Sequence, residues 1–474
     1  MNLKWAFEQY VEHLAGAVGH ADRRAPLADY CRGLLLPGER KSIEPMAARV
    51  APRQVSATHQ SLHHFVAQSA WEDATVLGAV REYVLPRLTA ERPIEAWIVD
   101  DTGFPKKGTH SVGVARQYCG ERGKQDNCQV AVSLSVANEA ASLPVAYQLY
   151  LPKTWAEDSE RRARAGVPKE LEFRTKPAIA LAQIRAAKAA GVPTGVVLAD
   201  AGYGQDGEFR AGLRALELAY VVGIQKPTTV WAPGTGPLPA KTWSGRGRRP
   251  RRLRRDAEHQ PVSVEALARA LPAEAWQQVG WREGTNSALS SRFAAVRVRP
   301  AHRDQLKSEP AAEEWLLIEW PAEDAEPFKY WLSTLAPETP LAQLVRLGKL
   351  RWRIERDYQE LKQELGLGHF EGRGWRGFHH HASLCIAAYG FLAAHRAAFS
   401  PGALRNALLG ETPTVPAGFR PRGAAGAGRA TCARLDRHGA SAAGARVAQA
   451  STRVPLLPAG RALSGWASWH LMTQ

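Results

Sequence analysis

Three acidic residues stand where the chain gives an acid no obvious partner. The run IEAWIVDD places Asp100 and Asp101 behind an apolar stretch, and VVLAD places Asp200 behind another. Both runs read as buried strands, and burying an unpaired charge is costly. If the strands are neighbours in one sheet, these carboxylates converge at one edge; the other reading is that one of them caps a helix. A third acid, Glu355, lies in LRWRIERDYQELK. On a helix advancing about 100° per residue, Arg351, Glu355 and Lys362 share one stripe with Tyr358 beside it. Leu347, Ile354 and Leu361 form an apolar stripe about 100° away, which would press the helix on a core. A surface helix laced with ion pairs is the alternative for the polar stripe. Carboxylates are hard oxygen donors, so the three together could hold divalent cations.

The elements that must position these acids follow from pattern. The first ninety residues read as helices, with Leu62, Phe65 and Val66 at helical spacing and another stripe from Val76 to Leu85. They form a plain packing domain or a DNA-binding unit. From Ile94 strands dominate: IEAWIVDD, SVGVARQY and NCQVAVSLSVAN, the last alternating with period two. A helix near Lys176–Ala190, the strand VVLAD, a helix near Phe209–Leu218 and the strand YVVGIQK complete a mixed α/β layer. The alternation stops near Pro227, and SRFAAVRV, EWLLIEW and FKYWLSTL suggest an inserted, mainly β region rather than a continuation of that layer. Helical period returns from Leu341. The expected division is therefore 1–90, 91–226, 227–334, 335–400 and a tail over 401–474.

Charge is local in this chain of 474 residues. The net charge is +16, of which RGRRPRRLRR (Arg246–Arg255) carries +7 and the segment from Pro401 onward another +7. The tail is rich in Ala, Gly and Arg without amphipathic period, so it reads as a disordered basic tail or as sequence with no selected role. The longest mostly apolar stretch, Ala382–Ala394, is shorter than the roughly 20 residues that span a bilayer. The N-terminus carries Glu8 and Glu12 and does not read as a secretory signal. Five cysteines without a C-x-x-C suggest reduced thiols and a cytoplasmic protein.

Taken together, the acids and their neighbours resemble bacterial insertion-sequence transposases of the Asp-Asp-Glu (DDE) type. The nearest subgroup carries the signature Y-x2-R-x3-E-x6-K. Arg351, Glu355 and Lys362 match R-x3-E-x6-K; Asp100, Asp101, Thr102 and Lys106 match D-D-T-x3-K; Asp200, Gly202 and Tyr203 match D-x-G-[FY]. The resemblance spans about Ile94 to Phe399, and the long gap between Asp200 and Glu355 fits the β insertion of the subgroup. It departs at the signature tyrosine, whose position holds Gly348; Tyr358 is a candidate substitute. The resemblance implies a ribonuclease-H-like α/β core with Asp100, Asp200 and Glu355 as catalytic metal ligands. Asp100 is preferred to Asp101 because the family's D-x-T places the ligand there. Glu360 and Glu364 are rivals to Glu355, but neither has both an Arg at −4 and a Lys at +7.

Such a set can hold two Mg²⁺ about 3.5–4 Å apart, with Mn²⁺ as a substitute, one activating the attacking oxygen and the other stabilising the leaving oxygen. An inward-pointing cation would compete with the metals. Arg351 and Lys362 are therefore expected to clamp DNA phosphates, alongside Lys106 and Tyr203. Arg246, Arg248, Arg249, Arg251 and Arg252 are expected to meet further phosphates, the alternative being a solvated linker. His379, His380 and His381 point about 100° apart on a helix and cannot share one ion. Trp276 and Trp281 read as core packing, with base stacking as the alternative. The implied protein cuts element ends in double-stranded DNA, joins them to target DNA, acts as a homodimer and associates with the nucleoid. A ribonuclease-H-like nuclease without strand transfer, or an inactive DNA-binding regulator, are the competing functions.

Overall fold

The computed structural model describes residues 3–283 and 288–398. The tail from residue 401, expected to be disordered, lies outside the described residues. The chain opens with five helices, α1 (Leu3–Ala15), α2 (Arg24–Leu35), α3 (Ile43–Val50), α4 (Val55–Ala67) and α5 (Asp73–Leu88). The predicted stripes are buried, Leu62 and Val76 completely so. Four antiparallel strands follow: β1 (Ala96–Pro105), β2 (Ala115–Cys119), β3 (Lys124–Ala137) and β4 (Ser142–Leu149). After short helices α6 (Lys153–Ala156) and α7 (Ser159–Ala165) come α8 (Lys176–Ala189), β5 (Val196–Ala199), α9 (Ala201–Gly204), α10 (Gly207–Ala215) and β6 (Tyr220–Ile224). Thr175 caps α8 through its side chain and Pro177 occupies its first turn, as the sequence pattern requires.

Strands β4, β3, β1, β5 and β6 lie side by side in that order, with β5 parallel to both β1 and β6. This is the ribonuclease-H-like arrangement. The next segment holds β7 (Thr229–Trp231), β8 (Val262–Ser263), α11 (Val264–Ala270), β9 (Gln277–Glu283), β10 (Ala288–Pro300), β11 (Glu314–Glu319) and β12 (Lys329–Ser333). It is mainly β, but the expectation that it stands apart from the layer is corrected. β12 pairs with β6, β11 with β12 and β10 with β11, so one twelve-stranded sheet runs through both regions. The pairing is backbone hydrogen bonding between segments distant in sequence, Tyr330–Ser333 and Val221–Ile224, which no hydropathy pattern announces.

Three helices close the described chain: α12 (Leu341–Leu350), α13 (Trp352–Gln359) and α14 (Trp375–Ala398). The expected single helix through Glu355 is interrupted at Arg351 and continues after Gln359 as a π-helical turn, Glu360–Glu364. Leu347, Ile354 and Leu361 are nonetheless all buried. Helix α14 packs against α5, α2 and α4. Its three histidines diverge as the helical angle demands. The Tyr30 hydroxyl donates to His381 Nδ1 at 2.8 Å, and His381 Nε2 donates to the Gly366 carbonyl at 3.0 Å. His380 stacks on Trp71 at 3.5 Å between ring centres, and His379 Nε2 accepts from the Leu149 amide.

His381 makes a pH prediction. The Gly366 carbonyl can only accept, so Nε2 carries the proton and a neutral imidazole leaves Nδ1 to accept from the Tyr30 hydroxyl, meeting both contacts without a charge. Burial, with Lys106 and His369 adding repulsion, lowers its pKa to about 4 against the opposing hydrogen bonds to Gly366 and Leu367. The unfolded chain binds this proton near pH 6.5, so the stabilisation is complete above that pH and is lost as pH falls towards 4. The loss reaches roughly 2 kcal/mol by pH 5. Thermal melts from pH 8 to 5 should fall more steeply for the wild type than for His381→Gln; parallel profiles would contradict the assignment.

Candidate active site

The acids meet because β5 stops short. It pairs with β1 only from Ala96 to Ile98, while β1 continues beside β3 to Pro105, with Asp100 opposite Ser133. Asp100 and Asp101 are thus mid-strand, not at the strand end that the sequence suggested. They sit where β1 has just lost its parallel neighbour, and Asp200 follows the last residue of β5. Alternation sends the two acids of β1 to opposite faces. Asp101 pairs with Lys176 of α8 at 2.7 Å, whereas Asp100 faces Arg351.

Arg351 is the centre of the cluster. One guanidinium nitrogen bonds Asp100 Oδ2, and the other donates to Glu355 Oε1 at 2.8 Å. The expectation that Arg351 points away from the acids, towards phosphate, is therefore corrected. Its position at the junction of α12 and α13, one turn before Glu355, lets a single side chain span both carboxylates. Burial opposes its charge, but Asp100, Glu355 and Asp200 outweigh that and hold its pKa above the usual arginine value. Burial pushes the Asp100 carboxyl up to about 7; Arg351 opposes the rise, and Asp200 and Asp101 add to it. Asp200 also caps α9, its Oδ1 accepting from the Gly202 amide at 2.9 Å. Both roles left open for it in the sequence coexist.

Asp100, Asp200 and Glu355 are the right donors for a divalent cation; Arg351 bonds Asp100 and Glu355, and Asp200 acts electrostatically on both Arg351 and Asp100. Among the described residues, however, no three acidic, histidine or cysteine side chains form a ready-made ligand group. The guanidinium of Arg351 lies between two of the three acids.

The other expected contacts are distributed unevenly. Lys362 donates to the Gly103 carbonyl at 2.7 Å and pairs with Glu121 at 2.8 Å, tying the π-helical turn to β1. Lys106 donates to the Phe370 carbonyl at 2.8 Å. Both are engaged within the protein. Tyr203 is corrected as a DNA contact: it is buried, its ring lies against Phe209, and its hydroxyl has no partner. Tyr358 is buried too, with its hydroxyl bonded to Ser133 at 2.7 Å and donating to the Asp100 carbonyl at 3.3 Å. It cannot replace a DNA-contacting tyrosine. Gly348 faces the sheet, where an added Cβ would already lie 3.3 Å from Leu317.

Arg246, Arg248, Arg249, Arg251 and Arg252 are exposed on a loop whose base is pinned by buried Leu253 and by Arg255, which bonds Asp304 at 2.5 Å. Trp243 on the same loop is exposed. Trp276 packs on Trp320 and Trp281 on Phe293, consistent with core packing. Sequence reasoning missed Lys329 of β12, which feels Arg351 and Glu355 electrostatically. It also missed the pairing of Lys349 with both oxygens of Glu319, at 2.6 and 2.7 Å, beneath Trp281 at 4.2 Å. Nothing in the local sequence marks either residue.

Two comparisons with known proteins bear on this geometry. A family profile described as "DDE superfamily endonuclease" matches residues 13–288, a span that includes Asp100 and Asp200 but ends before Glu355. The chain is also 36% identical over 167 residues to a "probable transposase for insertion sequence element IS701" of Microchaete diplosiphon. That match covers 35% of this chain and 40% of the relative's length.

The Lys349–Glu319 pair fixes α12, and with it Arg351, against β11. Removing the ammonium strands a carboxylate that is 3% exposed. Lys349→Met should therefore cost about 3–5 kcal/mol in chemical denaturation. Adding Glu319→Leu should recover most of that loss. A single variant as stable as the wild type would show that the pair does not hold the helix.

Proposed function

The chain belongs to the DDE superfamily endonucleases, and on that premise we propose that it is an insertion-sequence transposase. It binds the ends of its own element in double-stranded DNA, hydrolyses phosphodiester bonds there and joins the freed 3′-hydroxyls to target DNA. The observation that carries this reading is the bridge from Asp100 on β1 to Glu355 on α13, residues brought together across most of the chain, with Asp200 beside them.

Asp100, Asp200 and Glu355 would hold the divalent metal, Mg²⁺ with Mn²⁺ as a substitute. When bound, such ions lower the pKa of an attacking hydroxyl and neutralise charge developing on phosphate oxygens. The protein's part is orientation. Tyr358 fixes the Asp100 backbone, Lys362 fixes the strand at Gly103, and the α9 cap fixes Asp200. Asp101, occupied by Lys176, is left out of the ligand set. The exposed arginines from Arg246 to Arg252 would meet further phosphates, and their attachment through Arg255 and Leu253 gives that contact a fixed origin. Lys329 is a candidate phosphate contact nearer the cluster. Joining two ends at once calls for a dimer, and the substrate would place the protein at the bacterial nucleoid. Among the described residues no helix is long and apolar enough to cross a membrane.

Nicking of an end-containing duplex in Mg²⁺ should fall on the order of a thousandfold in Glu355→Gln and Asp100→Asn, the scale of losing one preorganised electrostatic group. Equal cleavage by wild type and Glu355→Gln would end the assignment. Strand-transfer products separate a transposase from a simple nuclease, and binding without cleavage in any divalent metal would identify a regulator. Replacing the five exposed arginines by serine should flatten the dependence of log affinity on log salt by about 0.9 for each phosphate that is no longer neutralised. An unchanged slope would return that loop to the status of a solvated linker.

A further inference from the structure

Arg351 is a cation lodged between two residues of the acid set. It bonds one acid with each terminal nitrogen, so a dication taking the same oxygens would compete with both bonds for lone pairs and for space. Like charges this close repel strongly in a partly buried setting. No ready-made ligand group exists among the described residues while the guanidinium sits there. Its side chain is 26% exposed, which leaves a route to solvent, while Asp100 at 13% stays enclosed.

We propose that Arg351 is a built-in counter-cation that a divalent ion must displace, and that the displaced guanidinium then binds a DNA phosphate. Metal and DNA would thereby favour each other's binding. The inference rests on reading Asp100 and Glu355 as metal ligands. Before metal arrives, Arg351 holds the two carboxylates close despite their repulsion. A dication supplies more positive charge to the same oxygens and releases a planar donor suited to phosphate. Linkage requires the effect to be reciprocal: if metal raises DNA affinity by some factor, DNA raises metal affinity by the same factor. This reconciles the inward position of Arg351 with the phosphate role that its place in the motif suggests, by assigning the two to different steps.

The test uses the full chain with Mn²⁺ alone, followed by calorimetry or electron paramagnetic resonance. Arg351→Gln should bind Mn²⁺ at least about tenfold more tightly than the wild type at pH 8, because the competitor is gone. In the wild type, Ca²⁺ should strengthen binding to an end-containing duplex and steepen its salt slope by about 0.9, one extra phosphate neutralised; Arg351→Gln should lack that increment. Equal or weaker Mn²⁺ binding by Arg351→Gln, or a wild-type slope indifferent to Ca²⁺, overturns the proposal. If Arg351→Gln does not fold, the wild type still decides: its Arg351 guanidinium resonance should shift on adding Mg²⁺, and a static signal overturns the proposal. Glu355→Gln separates the two levels. If it binds Mn²⁺ as the wild type does, the reading of the acids as ligands fails. If it loses Mn²⁺ while Arg351→Gln behaves as wild type, only the displacement idea fails.

Discussion

The arrangement depends on a carboxylate that the fold has enclosed. Asp100 sits in a strand, and a charge there would ordinarily be neutralised by protonation or driven out. It survives because the sheet has a notch: β5 ends one residue before Asp200, leaving β1 unpaired on that side, and α13 brings Arg351 into the opening. The guanidinium serves Asp100 and Glu355 at once. One cation thus stands against three acids drawn from three elements; the Asp100 carboxyl is raised chiefly by burial, which Arg351 opposes and Asp200 and Asp101 reinforce.

A cation can do this only if its helix is held in place, and here the mainly β segment matters. Its strands extend the central sheet, and β11 offers Glu319 to Lys349, the residue two before Arg351. The ammonium lies beneath Trp281 and within reach of Phe293 and Trp331, so its desolvation is offset by ring faces as well as by the carboxylate. The segment between the second and third acids is therefore part of what places the third. A long insertion at this point is structural support for the site, whatever surface it also offers to DNA.

What could be read from sequence follows the range of the interactions. Apolar runs and helical stripes are local, so β3, β5, β6, α8 and the buried face of α13 were legible. β4 was not, because Pro144 breaks the strand pattern; the structure accommodates it beside a register shift at Leu134/Ser135. The end of β1 escapes sequence reading for a related reason. Gly103 and Pro105 are poor strand formers alone, but pairing with β3 carries the strand through them. The acids were legible by type and order. Which way Arg351 points was not, since an arginine one turn from a glutamate can face either solvent or a partner 251 residues away. Lys349 and Glu319 carry no local signal at all.

The departure at Gly348 is best understood through the same packing. That position lies on the face of α12 pressed to the sheet, close to Leu317, Val221 and Trp331. A larger side chain there would have to be accommodated by these neighbours, the Leu317 side chain first, which an added Cβ would already approach to 3.3 Å. The hydroxyl that does approach the acids comes from Tyr358, but from inside. It bonds Ser133 on β3 and the carbonyl of Asp100 on β1, stitching α13 to the two strands behind the cluster. Its place in the site is to keep the acid-bearing strand and the glutamate-bearing helix in register. The side of the cluster that faces solvent is formed by Glu355, more than half exposed, with Arg351 partly exposed beside it.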